Sequence, residues 1–147
     1  MKKLLLTFLL YLSVICTAMA PPSNTLFIPM GEVITFYNPE WYGPLIDALY
    51  IHEASQNPFA INTKEEAHGG LQIRPNRLKH YNDLNGTNYT LEDCFDFEIS
   101  KKIFLYFTNH DGSGRRIPEK TWEQAAKDWN GSGPMTVIYW ENVKKLI

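Results

Sequence analysis

Glu53-Ala54-Ser55-Gln56-Asn57-Pro58-Phe59-Ala60-Ile61-Asn62, followed shortly by Ala67-His68-Gly69-Gly70-Leu71-Gln72-Ile73, interrupts a chain otherwise patterned for helices. Just before it, Pro44 sits at a helix-start position, and Leu45, Ile46, Leu49 and Ile51 follow with partial 3.6-residue periodicity. Residues 55–73 carry turn chemistry in Ser55, Asn57-Pro58, Asn62 and Gly69-Gly70, which predicts irregular structure or a small hairpin. Beyond the interruption, Ile99, Ile103, Tyr106, Phe107 and His110 recur at helical spacing from Asp96. Pro118 opens a further run in which Trp122, Ala125, Ala126 and Trp129 make one stripe. Asn130-Gly131 stops that run, since both residues tolerate the left-handed conformation of a helix end. A last amphipathic stretch covers Val137 to Ile147. The pattern predicts a mainly α (α+β) domain, a helical bundle with one irregular or hairpin excursion after its first long helix.

The chain has 147 residues, of which 44% are hydrophobic and 20% charged, a length and composition that fit one globular domain and exclude disorder or a fibrous repeat. Its net charge is −2, and its longest basic runs are pairs, which argues against nucleic acid as a partner. Lys2-Lys3, the apolar run from Leu4 to Ile15 and the Ala18-Met19-Ala20 pattern read as a secretory signal peptide over residues 1–20. The run is shorter than the ~20 residues of a spanning helix, so export to the periplasm or outside the cell is expected. Pro21 leaves cleavage after Ala18 as an alternative. Cys16 raises lipid attachment, which Ser13-Val14-Ile15 disfavours by lacking a small residue before it. Residues 21–42 read as an extended lead-in, with Pro21, Pro22, Pro29 and Pro39 preventing a long helix, and residues 43–147 as the folded domain. Loss of residues 1–20 removes two lysines and no acid, which takes the charge to −4 and leaves Cys94 as the lone cysteine. The domain therefore has no internal disulfide, and Cys94 reads as a small buried apolar residue.

Functional groups concentrate on loops held by a rigid scaffold, which directs attention to the entry residue of the excursion. Leu45, Leu49 and Glu53 are spaced by four and share one helix face, with His52 beside the stripe as a core or supporting histidine. A carboxylate ending an apolar stripe loses water, and the negative end of the helix dipole opposes its charge as well. Both effects hold a proton on Glu53 closer to neutral pH, as a general acid requires. A zinc site of the H-E-x-x-H type fails because Gln56 occupies the second histidine position. A serine hydrolase through Ser55 and His52 lacks the G-x-S-x-G elbow.

Taken together, the opening stretch resembles the signature of the soluble lytic transglycosylase (SLT) and goose-type lysozyme-like superfamily. The likeness lies in a helix-terminal Glu, a Ser two residues on, an Asn-x-x-Ala turn and a Gly-x-x-Gln-Ile turn. Phe95-Asp96-Phe97-Glu98-Ile99 is similar to the family's F-D-P-E segment, and Ala126-Lys127-Asp128-Trp129-Asn130-Gly131-Ser132-Gly133-Pro134 to its A-x-x-Y-N-x-G-P segment. The motifs keep the family's order over about residues 43–146. The resemblance implies a lysozyme-like fold and cleavage of the β-1,4 bond between N-acetylmuramic acid and N-acetylglucosamine in peptidoglycan. It implies Glu53 as the catalytic acid, Ser55 as the group orienting the N-acetyl substituent, and Gly69 as the turn glycine that lets backbone approach the sugar. Gln72 then lines the cleft wall and Asn130 faces it. Trp129 stands where the family has a tyrosine, so a stacking role is expected to persist while the phenol is lost. Trp41, Tyr42, Tyr81, Trp129 and Tyr139 are candidate stacking platforms for sugar rings.

No second carboxylate occupies a position that the resemblance marks. Transglycosylation to a 1,6-anhydro product is therefore expected over hydrolysis, with Glu65 or Glu66 the candidate base in the hydrolytic case. A secreted lysozyme and a catalytically weak glycan-binding protein of the same fold are the alternatives. The expected partner is the peptidoglycan glycan strand, bound by a monomer without metal, cofactor or nucleic acid.

Overall fold

The computed structural model describes residues 39–147. The signal peptide read over residues 1–20 and residues 21–38 of the lead-in lie outside the described residues. The last four residues of that lead-in are not extended. Pro39–Tyr42 forms a 3-10 turn, and Tyr42 is fully buried, with its ring edge-on to Phe104 and its hydroxyl donating to the Lys120 carbonyl at 2.7 Å. The folded domain therefore begins before residue 43.

Helix α1 (Gly43–Ala54) starts with Pro44 in its first turn, where a missing N–H costs nothing. It buries Leu45, Ile46, Ala48 and Leu49. It ends at Ser55 in the left-handed conformation, and the Ser55 and Gln56 N–H groups donate back to the Ile51 and Tyr50 carbonyls at 3.0 and 3.2 Å. The excursion that follows holds a two-stranded antiparallel hairpin, β1 (Ile61–Asn62) and β2 (Ala67–His68), with Ile61 opposite His68 and Asn62 opposite Ala67. The expected small hairpin is present.

Helix α2 (Pro75–Asn85) has no counterpart in the sequence reading. It is largely polar and buries only Leu78 and Tyr81. Its punctuation is nonetheless clear, with Pro75 in the first turn and Gly86 left-handed at the C-terminus. A 3-10 turn (Glu92–Phe95) leads into α3 (Phe97–Asn109), whose Asp96 cap accepts from the Glu98 N–H at 2.9 Å. Helix α4 (Trp122–Asn130) starts later than Pro118 suggested. Thr121 and Gln124 form a reciprocal capping box that sets its first turn. Helix α5 (Met135–Val143) and a final 3-10 turn (Lys144–Leu146) close the chain.

Helices α4 and α5 pack on each other, and both reach α1. The core between them and α3 contains Tyr42, Leu45, Leu49, Phe104, Trp129 and Val143. The architecture is mainly helical with a small antiparallel hairpin, as the sequence pattern predicted. Cys94 is fully buried, and burial pushes its thiol up to about 12, which fits an unreactive apolar filler. Among the described residues, no helix is long and apolar enough to cross a membrane.

Candidate active site

Glu53 lies one residue before the end of α1, half-buried, below the fully buried Leu45 and Leu49 of the same face. Its Oε1 accepts a 2.5 Å hydrogen bond from the hydroxyl of Tyr139 on α5. Among the described residues, Oε2 has no hydrogen-bond partner, so one oxygen is anchored and the other is available. Burial raises the Glu53 pKa above the ordinary carboxylate value. The Tyr139 hydrogen bond and the charges of His52 and Arg74 oppose that rise, and Glu65 adds to it. The buried phenol of Tyr139 is pushed well above its usual range by burial and by the Glu53 charge, so it stays a proton donor to the carboxylate.

Two arginines frame this pair. Arg74 binds Glu65 through Nη2 at 2.8 Å and Nε at 3.1 Å, a two-pronged contact on a single carboxylate oxygen. Arg77 is largely buried, and loss of water pulls its guanidinium down to about 10. Its Nη1 donates to the Trp129 carbonyl at 2.8 Å and its Nη2 to the Asp128 carbonyl at 3.3 Å. Its Cζ lies 4.1 Å from the centre of the Trp129 ring. Arg77 thus meets backbone oxygens and a π face, while the negative charge of Glu53 favours its charged form.

The turn after Glu53 holds four non-glycine residues with left-handed backbone: Ser55 (φ 49°), Gln56 (φ 62°), Glu66 (φ 52°) and Gln72 (φ 52°). Among the described residues there are no others, and such outliers cost of order 1–3 kcal/mol each. The Tyr50 hydroxyl fixes the first pair by donating to the Gln56 carbonyl at 2.7 Å. The result leaves the Ser55 side chain exposed, with no hydrogen bond to any described residue. Gly69 (φ +81°) is irreplaceable on steric grounds, because a Cβ there would lie 2.0 Å from the Cys94 carbonyl oxygen. Gln72 turns its amide back into the loop and donates to the Gly69 carbonyl at 2.9 Å and to that of Ala60 at 3.3 Å.

Ser55, Gly69 and Gln72 therefore belong to one turn system hung on the end of α1, and Glu53 leads into it. Trp129 does not act as a platform. It is 5% exposed, sits edge-on to Phe104 at 5.0 Å, and donates its indole N–H to the Leu71 carbonyl at 3.1 Å. That bond ties α4 to the loop between Gly69 and Gln72. Burial against Phe104 and Arg77 leaves the ring no free face for a sugar. Asn130 closes α4, half-buried, and no hydrogen bond joins it to Glu53, Ser55 or Gln72. His52 is exposed rather than a core histidine, with its ring edge-on to Tyr139 at 4.9 Å. Tyr42, Tyr81 and Tyr139 are core residues as well, and of the five proposed platforms only Trp41 is exposed.

Sequence reasoning missed Tyr139 as the partner of Glu53. The available signal was modest: Thr136, Tyr139 and Val143 recur at helical spacing, and all three are buried. Arg77 and Arg74 were missed with α2, at whose start they lie. No protein-family model, no curated protein and no solved structure matches this chain. The chemistry accordingly rests on the residues themselves. A carboxyl whose pKa is raised by burial, with one oxygen anchored and the other available, can give a proton to a bound substrate and take one back.

Proposed function

We propose that the chain is an exported enzyme of the soluble lytic transglycosylase and goose-type lysozyme-like kind, cleaving the β-1,4 bond between N-acetylmuramic acid and N-acetylglucosamine in peptidoglycan. One observation supports this reading above the others. The glutamate that the sequence resemblance marks is the half-buried carboxyl that Tyr139 holds at 2.5 Å. A surface glutamate at a fraying helix end has no need of a buried phenol brought from 86 positions away.

In this reading Glu53 donates its proton to the glycosidic oxygen as the bond to the anomeric carbon breaks. The acetamide oxygen of the same N-acetylmuramic residue stabilises the positive centre, with Ser55 placed to hold that acetamide. Glu53, now a carboxylate, takes the proton of the 6-hydroxyl as it attacks the anomeric carbon. The product is a 1,6-anhydro sugar, and Glu53 returns to its protonated form. Gly69 and Gln72 shape the turn that faces the sugar, and neither metal nor cofactor enters the step.

Hydrolysis is the second reading. What favours it is Glu65, whose charge is felt at Glu53 and which Arg74 fixes at 2.8 Å. Mass spectrometry of the sugars released from purified sacculi separates the two. Anhydro ends, with a rate lowered by about 10²–10⁴ in Glu53→Gln, are expected for transglycosylation. Reducing ends, one water heavier and lost in Glu65→Gln, select hydrolysis. Binding to sacculi without release of any sugar overturns the enzyme reading altogether.

A further inference from the structure

A cavity of about 550 Å³ opens between α2 and α3 and shares no residue with the Glu53 cluster. Its walls include Tyr81, Leu105 and Tyr106, and its rim carries Lys101, Lys102 and Arg116. The volume falls within the roughly 300–1,000 Å³ of small-molecule sites, and the mix of apolar walls with a few charged groups is typical of them.

The walls are built rather than incidental. Tyr81 is 2% exposed and meets Tyr106 edge-on at 5.3 Å. Tyr106 lies flat on His110 at 4.1 Å, and the carbonyl of Tyr106 accepts from His110 Nδ1 at 2.9 Å. The loop beyond His110 is drawn tight by Asp111, whose Oδ1 accepts from the Ser113 and Arg115 N–H groups at 2.9 and 3.0 Å. A backbone bridge between His110 and Arg116 then holds Arg116 at the mouth. Gly114 (φ +79°) lets this loop pack close, since a Cβ there would meet the Tyr106 hydroxyl at 3.2 Å. The cavity therefore needs little ordering to receive a ligand.

Its charge departs from that of the whole chain. The protein carries −2 overall, whereas among the described residues this lining has three cations against one acid, Glu98. Glu98 is already engaged with Lys101 at 2.6 Å. Lys102 meets two phenols and no acid: its ammonium lies 3.3 Å from the Tyr89 hydroxyl and 5.6 Å from that ring's centre, and it interacts with Tyr81 as well. Among the described residues, no carboxylate lies within ion-pair distance of Lys102.

We infer that this cavity is a second binding site, for a small anion with a flat apolar body, such as an aromatic carboxylate. The apolar part enters between Leu105 and Tyr106, and the anionic group stays at the rim beside Lys102. A neutral molecule of the same shape leaves Lys102 without an anionic partner.

The test uses 2-naphthoate and its neutral counterpart 2-naphthylmethanol, titrated into the ¹⁵N-labelled chain. Naphthoate is expected to shift the amides of residues 81–85 and 101–116, and to bind about tenfold or more tightly than the alcohol. Lys102→Glu is expected to remove that preference, while Lys79→Glu, outside the cavity, leaves it intact. Equal affinities for the two probes overturn the inference. So does an equal loss in both variants, or a set of shifts centred on the exposed Trp41 or Phe59.

Discussion

Tyr139 and burial act in opposite senses on Glu53, so the two influences can be separated by mutation. The Tyr139 hydroxyl favours the charged carboxylate, and desolvation favours the neutral acid. Tyr139→Phe removes the stabilising bond, so the Glu53 pKa rises further. The alkaline limb of sacculus-clearing activity, where the acid loses its proton, then moves to higher pH. A buried carboxylate left without its donor also costs about 1–3 kcal/mol, readable as a lower denaturant midpoint at neutral pH. A limb that stays in place excludes coupling between the two groups. The linkage to stability follows from the direction of the shift. Since the folded-state pKa lies above the free value of 4.5, the contribution of Glu53 to stability is fully present below pH 4.5 and is lost as pH rises through the folded pKa. Glu53→Gln keeps an acceptor for Tyr139 and removes the desolvated charge. Its melting temperature is therefore expected to exceed that of the parent at pH 7 and to converge with it below pH 4.5. A gap independent of pH would show that ionisation of Glu53 has no part in it.

At the scale of elements, the loop after α1 was the most legible part of the chain, because its Ser, Asn, Pro and Gly residues act through local backbone geometry. Its hairpin and the stop of α4 at Asn130-Gly131 needed no tertiary information. Helix α2 was not legible by periodicity, since only Leu78 and Tyr81 of its eleven residues are buried. Pro75 and Gly86 were the better guides there, as Thr121 with Gln124 was for the start of α4. What local signals could not convey was strain. Ser55 adopts φ 49° and ψ 39°, a conformation costing an L-residue roughly 1–2 kcal/mol that glycine escapes. Ser55→Gly is therefore expected to raise stability by up to about 1 kcal/mol, after the extra entropy of glycine in the unfolded chain. The same change removes the hydroxyl proposed to hold the substrate's acetamide, so sugar release should fall while the melting temperature rises. A variant that gains stability and keeps full activity removes Ser55 from the proposed site. Gly69→Ala runs the other way: a left-handed residue and a Cβ pressed on the Cys94 carbonyl should cost about 2–6 kcal/mol in chemical denaturation.

Across the whole molecule, side chains from late elements bind the backbone of early ones. The Trp122 indole donates to the Trp41 carbonyl at 3.0 Å, the Trp129 indole to that of Leu71, and Tyr42 reaches Lys120 in return. Such pairings are invisible to periodicity, which is why Trp129 read as a sugar platform and Tyr139 was not recognised as the partner of Glu53. An aromatic stripe announces burial without saying what it will be buried against. Arg77 gathers these ties most closely, since it joins α2 to the end of α4 beside the Glu53–Tyr139 pair. Its planar guanidinium spans two carbonyls at once, those of Trp129 and Asp128, and lies on the indole face. A lysine keeps the charge but presents a compact ammonium, which cannot make both bonds in that geometry or stack on the ring. Hydrogen bonds from a charged donor are worth about 1.5–3 kcal/mol each. Arg77→Lys is thus expected to lower stability by about 1–3 kcal/mol, measured by denaturant unfolding. The positive charge remains near Glu53, so the pH profile of activity should move far less than in Tyr139→Phe. A large shift of that profile with little loss of stability would mean that Arg77 acts on Glu53 through fine placement of its charge rather than by holding α2 against α4.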